Sequence, residues 1–182
     1  MLTRLNTIAD DLGISQTLLA TRNLRSYTQA EQLEIAEIDA AGREYLLCPA
    51  AAEAWRQLRR AAAQDAVELF IVSAYRSVER QAAIIRQKLA HGVPIEHILT
   101  LLAPPGYSEH HTGCAVDIAT PGTPPAVQAF EHTAAFVWLQ AQAQDFGFYL
   151  SFPPGNPEGY QYEPWHWCFH ATPPSPLLTA TR

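Results

Sequence analysis

The feature that most constrains this chain is a set of three metal-binding residues, two of them close together in the sequence and one far from both. His110 and Asp117 lie seven positions apart, with Gly113 between them and an apolar run leading into the aspartate. His166 follows much later in the chain. Two imidazoles and one carboxylate are the ligands of a catalytic zinc site whose fourth position is open for water. A structural zinc site would more often have four protein ligands and be rich in cysteine.

Three short motifs carry a family resemblance. The pattern S-x-H-x-x-G-x-A-x-D at 108–117, followed by E-x-W-H at 163–166, resembles the zinc D-Ala-D-Ala carboxypeptidases, the VanY-like peptidases. The segment S-x-Y-R-S at 73–77, with a glutamine five residues after the arginine, is similar to the same family. Each motif alone is weak because short patterns recur by chance. Together they occur in the family's order over about residues 67 to 170, whereas the first sixty or so residues match no motif.

The resemblance implies that His110, Asp117 and His166 are the zinc ligands. A hydrogen-bonded core histidine is the alternative for a lone His, and an aromatic-packed surface position is the alternative for His166. His111 is a second candidate, but neighbours in extended chain point to opposite faces, so both histidines should not reach one metal. Asp117 lies in apolar company, where a buried carboxylate needs a cation or becomes protonated. The family pattern selects His110.

Two further residues are candidates for the chemistry. Glu163, three residues before His166, is interpreted as the base that takes a proton from the attacking water and later gives it to the leaving amine. Its alternatives are a fourth zinc ligand or a plain surface acid. Arg76 is interpreted as the group that stabilises transition-state charge, because a guanidinium donates two parallel hydrogen bonds. Its alternative is a surface salt bridge.

The resemblance also implies substrate-binding residues. Gln81, Ser108 and Tyr160 match family positions that line the substrate's C-terminal residue, although each could instead be a local cap or packing contact. Relatives often carry an arginine where this chain has Ser151 and where it has Cys168. These two departures leave the metal and base positions untouched and put only the substrate detail in doubt.

The composition predicts one globular domain over residues 1–182. The chain has 182 residues, of which 48% are hydrophobic and 16% charged, enough to form a real core and unlike a disordered chain. Strands and helices mix without regular alternation, so we expect an α+β fold with a small antiparallel sheet, flanking helices and an open zinc site. The motif-bearing core spans about residues 67–170.

Hydrophobic periodicity and turn residues place the elements. Helices are predicted at 3–20 as a short pair, 49–64, 78–90, 94–101 and 131–145. The helix 49–64 should bury Trp55 and Leu58, and 131–145 should bury Phe136, Val137 and Leu139. Ser77 can cap the helix 78–90, whose buried stripe should be Val78, Ala82, Ile85 and Leu89. Strands are predicted at 33–38, 43–47, 67–72, 114–118, 147–150 and 165–169. The strand at 67–72 should be central because it is almost wholly apolar. The segment 152–160 should be a loop bordering the site, and the tail from Thr172 should be poorly ordered.

Charge and cysteine content constrain partners and location. A net charge of −6 argues against nucleic acid or an anionic membrane as partner. Cys48, Cys114 and Cys168 are odd in number and widely spaced, which predicts no disulfide framework. Cys114 and Cys168 each lie near a proposed zinc ligand, and thiolates bind zinc, but we interpret both as buried small hydrophobes. With no signal peptide in the sequence, a cytoplasmic, monomeric protein is expected, although a periplasmic enzyme with its signal removed would look the same.

The activity implied by the resemblance is removal of the terminal D-Ala from peptidoglycan stem peptides by a zinc-dependent carboxypeptidase. An L,D-carboxypeptidase acting on recycled tetrapeptides is favoured, because a cytoplasmic D,D-carboxypeptidase would destroy the biosynthetic pentapeptide. The alternatives are a D,D-carboxypeptidase on D-Ala-D-Ala pentapeptides and a peptidoglycan endopeptidase. A zinc-stabilised binding protein is the non-enzymatic alternative, which has no use for an unliganded Glu163.

Overall fold

The computed structural model describes residues 2–22 and 24–174. Its α-helices are α1 (Leu2–Asp11), α2 (Gln16–Ala20), α3 (Pro49–Gln64), α4 (Val78–Ala90), α5 (Ile95–Leu101) and α6 (Ala134–Gln142). Its strands are β1 (Glu34–Ile38), β2 (Glu44–Leu47), β3 (Phe70–Ser73), β4 (Ala115–Ala119), β5 (Phe148–Leu150) and β6 (His166–Phe169). Short 3₁₀ helices span Glu109–Thr112, Gln128–His132 and Ala143–Phe146. Most of the tail that was expected to be poorly ordered lies outside the described residues.

The strands form two antiparallel sheets. β1 and β2 pair as a hairpin, and a second sheet has the strand order β3-β4-β6-β5. Every neighbouring pair is antiparallel. All five residues of β4 are buried, so this strand has protein on both faces. The predicted α+β class with a small antiparallel sheet is confirmed.

Helix α3 packs against the sheets and forms the larger hydrophobic core with them. Pro49 begins the helix, where its missing N–H costs nothing, and Trp55 and Leu58 are fully buried as predicted. The indole of Trp55 meets Phe148 of β5 edge to face at 6.4 Å between ring centroids. Within 2–22 and 24–174, no helix has the length and apolar character needed to span a bilayer.

Helix α4 begins at a predicted cap and packs a second core. The Ser77 side chain accepts a hydrogen bond from the Arg80 N–H at 3.1 Å. Val78, Ala82 and Ile85 are buried as the periodicity predicted. Ala82 and Ile85 pack with residues of α1 and α5, so the N-terminal helices cover this side of the molecule.

The alternation of apolar and acidic residues at 33–38 predicts a half-buried strand with apolar side chains inside, but β1 buries an acid. A bulge interrupts the register between Ile35 and Glu37. As a result Ile35 and Ile38 are 41% and 56% exposed, whereas Glu37 is only 6% exposed. The Glu37 carboxylate accepts from Trp55 Nε1 at 2.9 Å and from the Ile71 N–H at 3.2 Å. Two buried donors therefore hold an acid where the alternation predicted an apolar side chain.

Two other predicted elements differ from the structure. The apolar run 67–72 becomes a strand only at Phe70, after Ala66 adopts a positive φ of 59°, and β3 is an edge strand rather than a central one. The predicted helix 131–145 contains a cap at Thr133, whose side chain accepts from the Phe136 N–H at 3.1 Å. Only 134–142 is α-helical, and Val137 is 62% exposed rather than buried.

The Glu37 carboxylate should stabilise the packing of β1 on α3. Glu37→Ala leaves the Trp55 and Ile71 donors buried without an acceptor, so we expect the free energy of unfolding to fall by about 2–4 kcal/mol. The matched control is Glu34→Ala on the same strand, which removes only a partly exposed ion pair with Arg56 and should cost under about 1 kcal/mol. Urea denaturation measures both, and equal losses would contradict this assignment.

Candidate metal centre and active site

The metal centre is built on one row of residues that crosses three strands. In the β3–β4 ladder Ser73 lies opposite Asp117, and in the β4–β6 ladder Asp117 lies opposite His166. Directly opposed residues in antiparallel strands place their side chains side by side. His166 Nδ1 accordingly lies 3.0 Å from Asp117 Oδ1. The sheet register thus brings together two segments that are remote in the sequence.

His110 reaches the same point from the 3₁₀ helix Glu109–Thr112. Its Nδ1–H donates to the Ala74 carbonyl at 2.7 Å, which leaves Nε2 directed at Asp117 Oδ2, 3.4 Å away. Gly113 ends this helix with a φ of 67°, and a Cβ there would lie 2.9 Å from the Cys48 backbone nitrogen. A glycine is therefore required at the turn between His110 and β4.

His110, Asp117 and His166 fit a zinc ion. Each offers one ligand atom, and all three atoms lie within 4.8 Å of one another. The two contacts of 3.0 and 3.4 Å match the separation of about 3.3 Å between ligand atoms of tetrahedral zinc. Burial raises the pKa of Asp117, but the two imidazoles outweigh it and hold that pKa well below its usual range. A buried carboxylate between two imidazoles is an environment that favours a cation.

The neighbouring Glu109, which was not singled out from the sequence, orients His166. Glu109 Oε2 accepts from His166 Nε2 at 3.0 Å and from the Ser151 hydroxyl at 2.6 Å, and Oε1 accepts from the Tyr27 hydroxyl at 3.2 Å. Burial raises the pKa of Glu109, but these bonds, led by that from His166, lower it to about 2. The bond fixes the tautomer that leaves His166 Nδ1 free for a metal. The sequence offers one signal that could have pointed to Glu109, which is its position next to His110.

Glu163 faces the centre from a tight turn. The His166 N–H donates to the Glu163 carbonyl at 3.1 Å across Pro164 and Trp165, so the turn holds the acid a fixed distance before β6. Glu163 Oε2 lies 3.8 Å from His166 Nδ1, too far for a hydrogen bond. Burial raises the pKa of Glu163 to about 7. A carboxylate with this pKa can both accept and return a proton near neutral pH.

Arg76 is held rigidly at the same pocket. Its guanidinium donates to Gln81 Oε1 at 2.9 Å and to the Ser73 hydroxyl at 2.8 Å, and it lies 4.0 Å from Asp117 Oδ2. Gln81 is fully buried and its amide in turn donates to the Ala103 carbonyl at 2.6 Å. In this structure Gln81 therefore positions Arg76.

A cavity of about 340 Å³ joins all the candidate residues. Ser108 and Gln81 are buried in its wall, and Phe152 and Tyr160 line it from the two ends of the predicted loop. The Tyr160 hydroxyl is buried and has no hydrogen-bond partner among the described residues. Lys88 of α4, which no sequence motif indicated, also lines the cavity.

Ser151 and His111 are close neighbours of the site. Ser151 directly precedes the loop 152–160, and its hydroxyl donates to Glu109 Oε2 at 2.6 Å. His111 lies apart from the metal centre, as expected, because its Nδ1 bonds the Arg76 carbonyl at 2.6 Å and its Nε2 accepts from the Gly106 N–H. The reason given for that separation was wrong, since both histidines lie in a 3₁₀ helix and not in extended chain.

The chain belongs to the VanY family of D-alanyl-D-alanine carboxypeptidases, whose family model matches residues 44–172. The matched residues include the four-stranded sheet, the metal centre and the pocket. The roles of the individual site residues stay predictions.

Known proteins similar to this chain include carboxypeptidases of two kinds. The structure of the LdcB LD-carboxypeptidase matches with a TM-score of 0.69 and 31% identity, over 78% of this chain and 69% of LdcB. A VanY D,D-pentapeptidase variant from the VanB-type resistance cassette, solved with Zn(II), matches with a TM-score of 0.59 and 27% identity, over 76% of this chain and 79% of VanY.

A curated relative is much longer than this chain. YodJ of Bacillus subtilis (strain 168), a candidate carboxypeptidase, is 35% identical over 119 residues. These residues are 64% of this chain but only 43% of YodJ. The chain thus spans less than half of that relative's length.

Metal binding should depend on His110. We expect the wild-type chain to bind one zinc ion and His110→Ala to lose it, because removing one of three protein ligands weakens a site whose binding free energy comes from all of them. His97→Ala, on the exposed face of α5, is the control and should bind zinc normally. Metal analysis after dialysis measures the zinc content per chain. Full zinc content in His110→Ala would remove His110 from the ligand set.

Proposed function

We propose that the chain is a zinc-dependent carboxypeptidase that removes the terminal D-Ala from peptidoglycan stem peptides. The observation that carries this proposal is one cavity shared by four elements of a hydrolytic site. These are the buried ligand cluster, a carboxylate of raised pKa, a fixed guanidinium and an unpartnered buried hydroxyl. Membership of the VanY family supports the same class of reaction.

The cavity wall suits the end of a peptide rather than its middle. Gln81 and Ser108 are buried in its wall, and Gln81 accepts from Arg76. The Tyr160 hydroxyl lacks a hydrogen-bond partner within 2–22 and 24–174, and a substrate carboxylate would supply its acceptor. A terminal residue brings a free carboxylate to these donors, whereas a residue in the middle of a chain has none. This favours a carboxypeptidase over an endopeptidase.

The reaction joins water to the last peptide carbonyl and breaks the C–N bond. A zinc ion held by His110, Asp117 and His166 would supply Lewis acidity, which polarises that carbonyl and acidifies water. Glu163 takes a proton from the attacking water and delivers it to the leaving amine. Arg76 donates to the oxygen on which negative charge develops, and Gln81 and Ser73 fix its orientation.

For the substrate we favour the tetrapeptide, with D-Ala released from an L-configured diamino acid. One solved structure that matches this chain is that of the LdcB LD-carboxypeptidase, so a fold of this kind can carry the activity. Lys88 adds a cation to the cavity wall, beyond the groups needed for the terminal carboxylate. A long side chain with its own charges can use such a partner, whereas the methyl group of a preceding D-Ala cannot.

Two features expected from composition accompany this proposal. A cytoplasmic location and a monomeric state both stay predictions, and the mechanism depends on neither. A zinc-stabilised binding protein is the alternative from another class. Such a protein would not need Glu163 beside the metal centre with its pKa raised to about 7.

Replacing Glu163 separates chemistry from metal binding. Glu163→Gln keeps the size of the side chain and removes the proton acceptor, so kcat should fall by roughly 10² to 10⁴ while zinc stays bound. Glu96→Gln, an exposed position in α5, should leave kcat unchanged. Near-normal kcat in the Glu163 variant would show that another group is the base.

Substrate preference is decided by comparing two synthetic stem peptides of the same composition up to the third residue. We expect a higher kcat/KM for D-Ala release from the tetrapeptide than from the pentapeptide, with mass spectrometry identifying the products. Faster release from the pentapeptide would make the chain a D,D-carboxypeptidase. Cleavage inside a cross-linked peptide, with neither terminal D-Ala released, would make it an endopeptidase.

A further inference from the structure

A pair of thiols lies outside the metal centre and has no part in the proposed hydrolysis. Cys48 Sγ and Cys114 Sγ are 3.4 Å apart although the residues are 66 positions apart in sequence. Both residues are partly exposed, in contrast to the buried Cys168. The Cys48 N–H donates to the Gly113 carbonyl at 2.8 Å, which holds the two backbone segments together beside the thiols.

The environment of Cys48 favours its thiolate. Cys48 is the N-cap residue of α3, where the free N–H groups at a helix start attract negative charge. The hydrogen bond with Cys114 is the main cause that lowers the pKa of Cys48, and the amides of Ala50 and Ala51 contribute, so that despite partial burial the value is about 6. The pKa of Cys114 is raised by the same bond, so Cys114 is the partner that keeps its proton.

We propose that Cys48 and Cys114 form a reversible redox-modification site whose reactant is a small disulfide of the glutathione type. The Cys48 thiolate attacks one sulfur of that disulfide, forming a mixed disulfide and releasing the first small thiolate. Cys114 then loses its proton and attacks Sγ of Cys48, forming the Cys48–Cys114 bond and releasing the second small thiolate. The protein loses two electrons, and one small disulfide becomes two thiols.

The geometry allows this bond with a small movement. An S–S bond is about 2.05 Å long, so the two sulfurs must approach by little more than an ångström. The bond would tie the start of α3 to the segment between His110 and Asp117 without using a metal ligand. Cys168 is buried, and its thiol donates a weak hydrogen bond to the Phe169 carbonyl at 3.9 Å. It therefore serves as an internal reference thiol.

The test exposes the full, zinc-loaded chain to oxidised glutathione and then blocks the remaining thiols with N-ethylmaleimide in denaturant, so that the buried Cys168 is also labelled. Digestion should use endoproteinase Glu-C, because trypsin leaves Cys114 and Cys168 on one peptide. Glu-C separates the three cysteines into 45–53, 110–131 and 159–182. Mass spectrometry then shows which peptides are joined. We expect 45–53 joined to 110–131, 159–182 carrying the maleimide, and full reversal by dithiothreitol.

Single substitutions distinguish the two steps. Cys114→Ser should stop the reaction at the mixed disulfide between Cys48 and glutathione, whereas Cys48→Ser should leave Cys114 blocked by the maleimide. Cys168→Ala is the control and should retain the cross-link. An unmodified Cys48 in the wild type, or a bond that includes Cys168, would overturn the proposal. Because the readout is the mass of peptides, it stands or falls separately from the proposed peptidase activity.

Discussion

The site depends on one cross-strand pair, Asp117 of β4 beside His166 of β6. The antiparallel register sets these residues opposite each other, and burial of both strands removes competing water. A carboxylate in such a place requires positive charge, which a zinc ion held by the three ligands would supply. A slip of one residue between β4 and β6 would turn one ligand to the other face of the sheet and destroy the site.

Around this pair, side chains that are not proposed zinc ligands hold others in place. Glu109 orients His166, and it is itself bound by Ser151 and by Tyr27 from the N-terminal segment. The Arg22 guanidinium lies 4.5 Å from the centre of the Tyr160 ring. The first part of the chain, which carries no recognisable motif, thus contacts two residues of the cavity wall. We interpret these contacts as positioning those residues.

The candidate site was more predictable from sequence than its surroundings were. His110, Asp117 and His166 could be selected because their residue types suit zinc and their motifs resemble those of a known family, and the structure brings all three together. Glu109 was missed because its partners Tyr27 and Ser151 are remote in sequence, and no local pattern records such contacts. The inward turn of Glu37 was missed for a similar reason, since a bulge reversed the alternation on which the prediction relied.

The existence of the helices and strands was likewise easier to predict than the position of each strand in its sheet. The apolar run before Ser73 predicted a central strand, yet the strand order places β3 at the edge, with β4 and β6 inside. Strand order is decided by long-range pairing, which hydrophobicity alone does not encode.

The central claim is tested most directly by locating zinc in a crystal of the metal-loaded protein through its anomalous scattering. The account predicts one peak about 2.0–2.2 Å from His110 Nε2, Asp117 and His166 Nδ1. The Glu163 carboxylate should lie close to the peak without bonding to it. A peak at the cysteine thiols, or coordination of His166 through Nε2 in place of Nδ1, would contradict it.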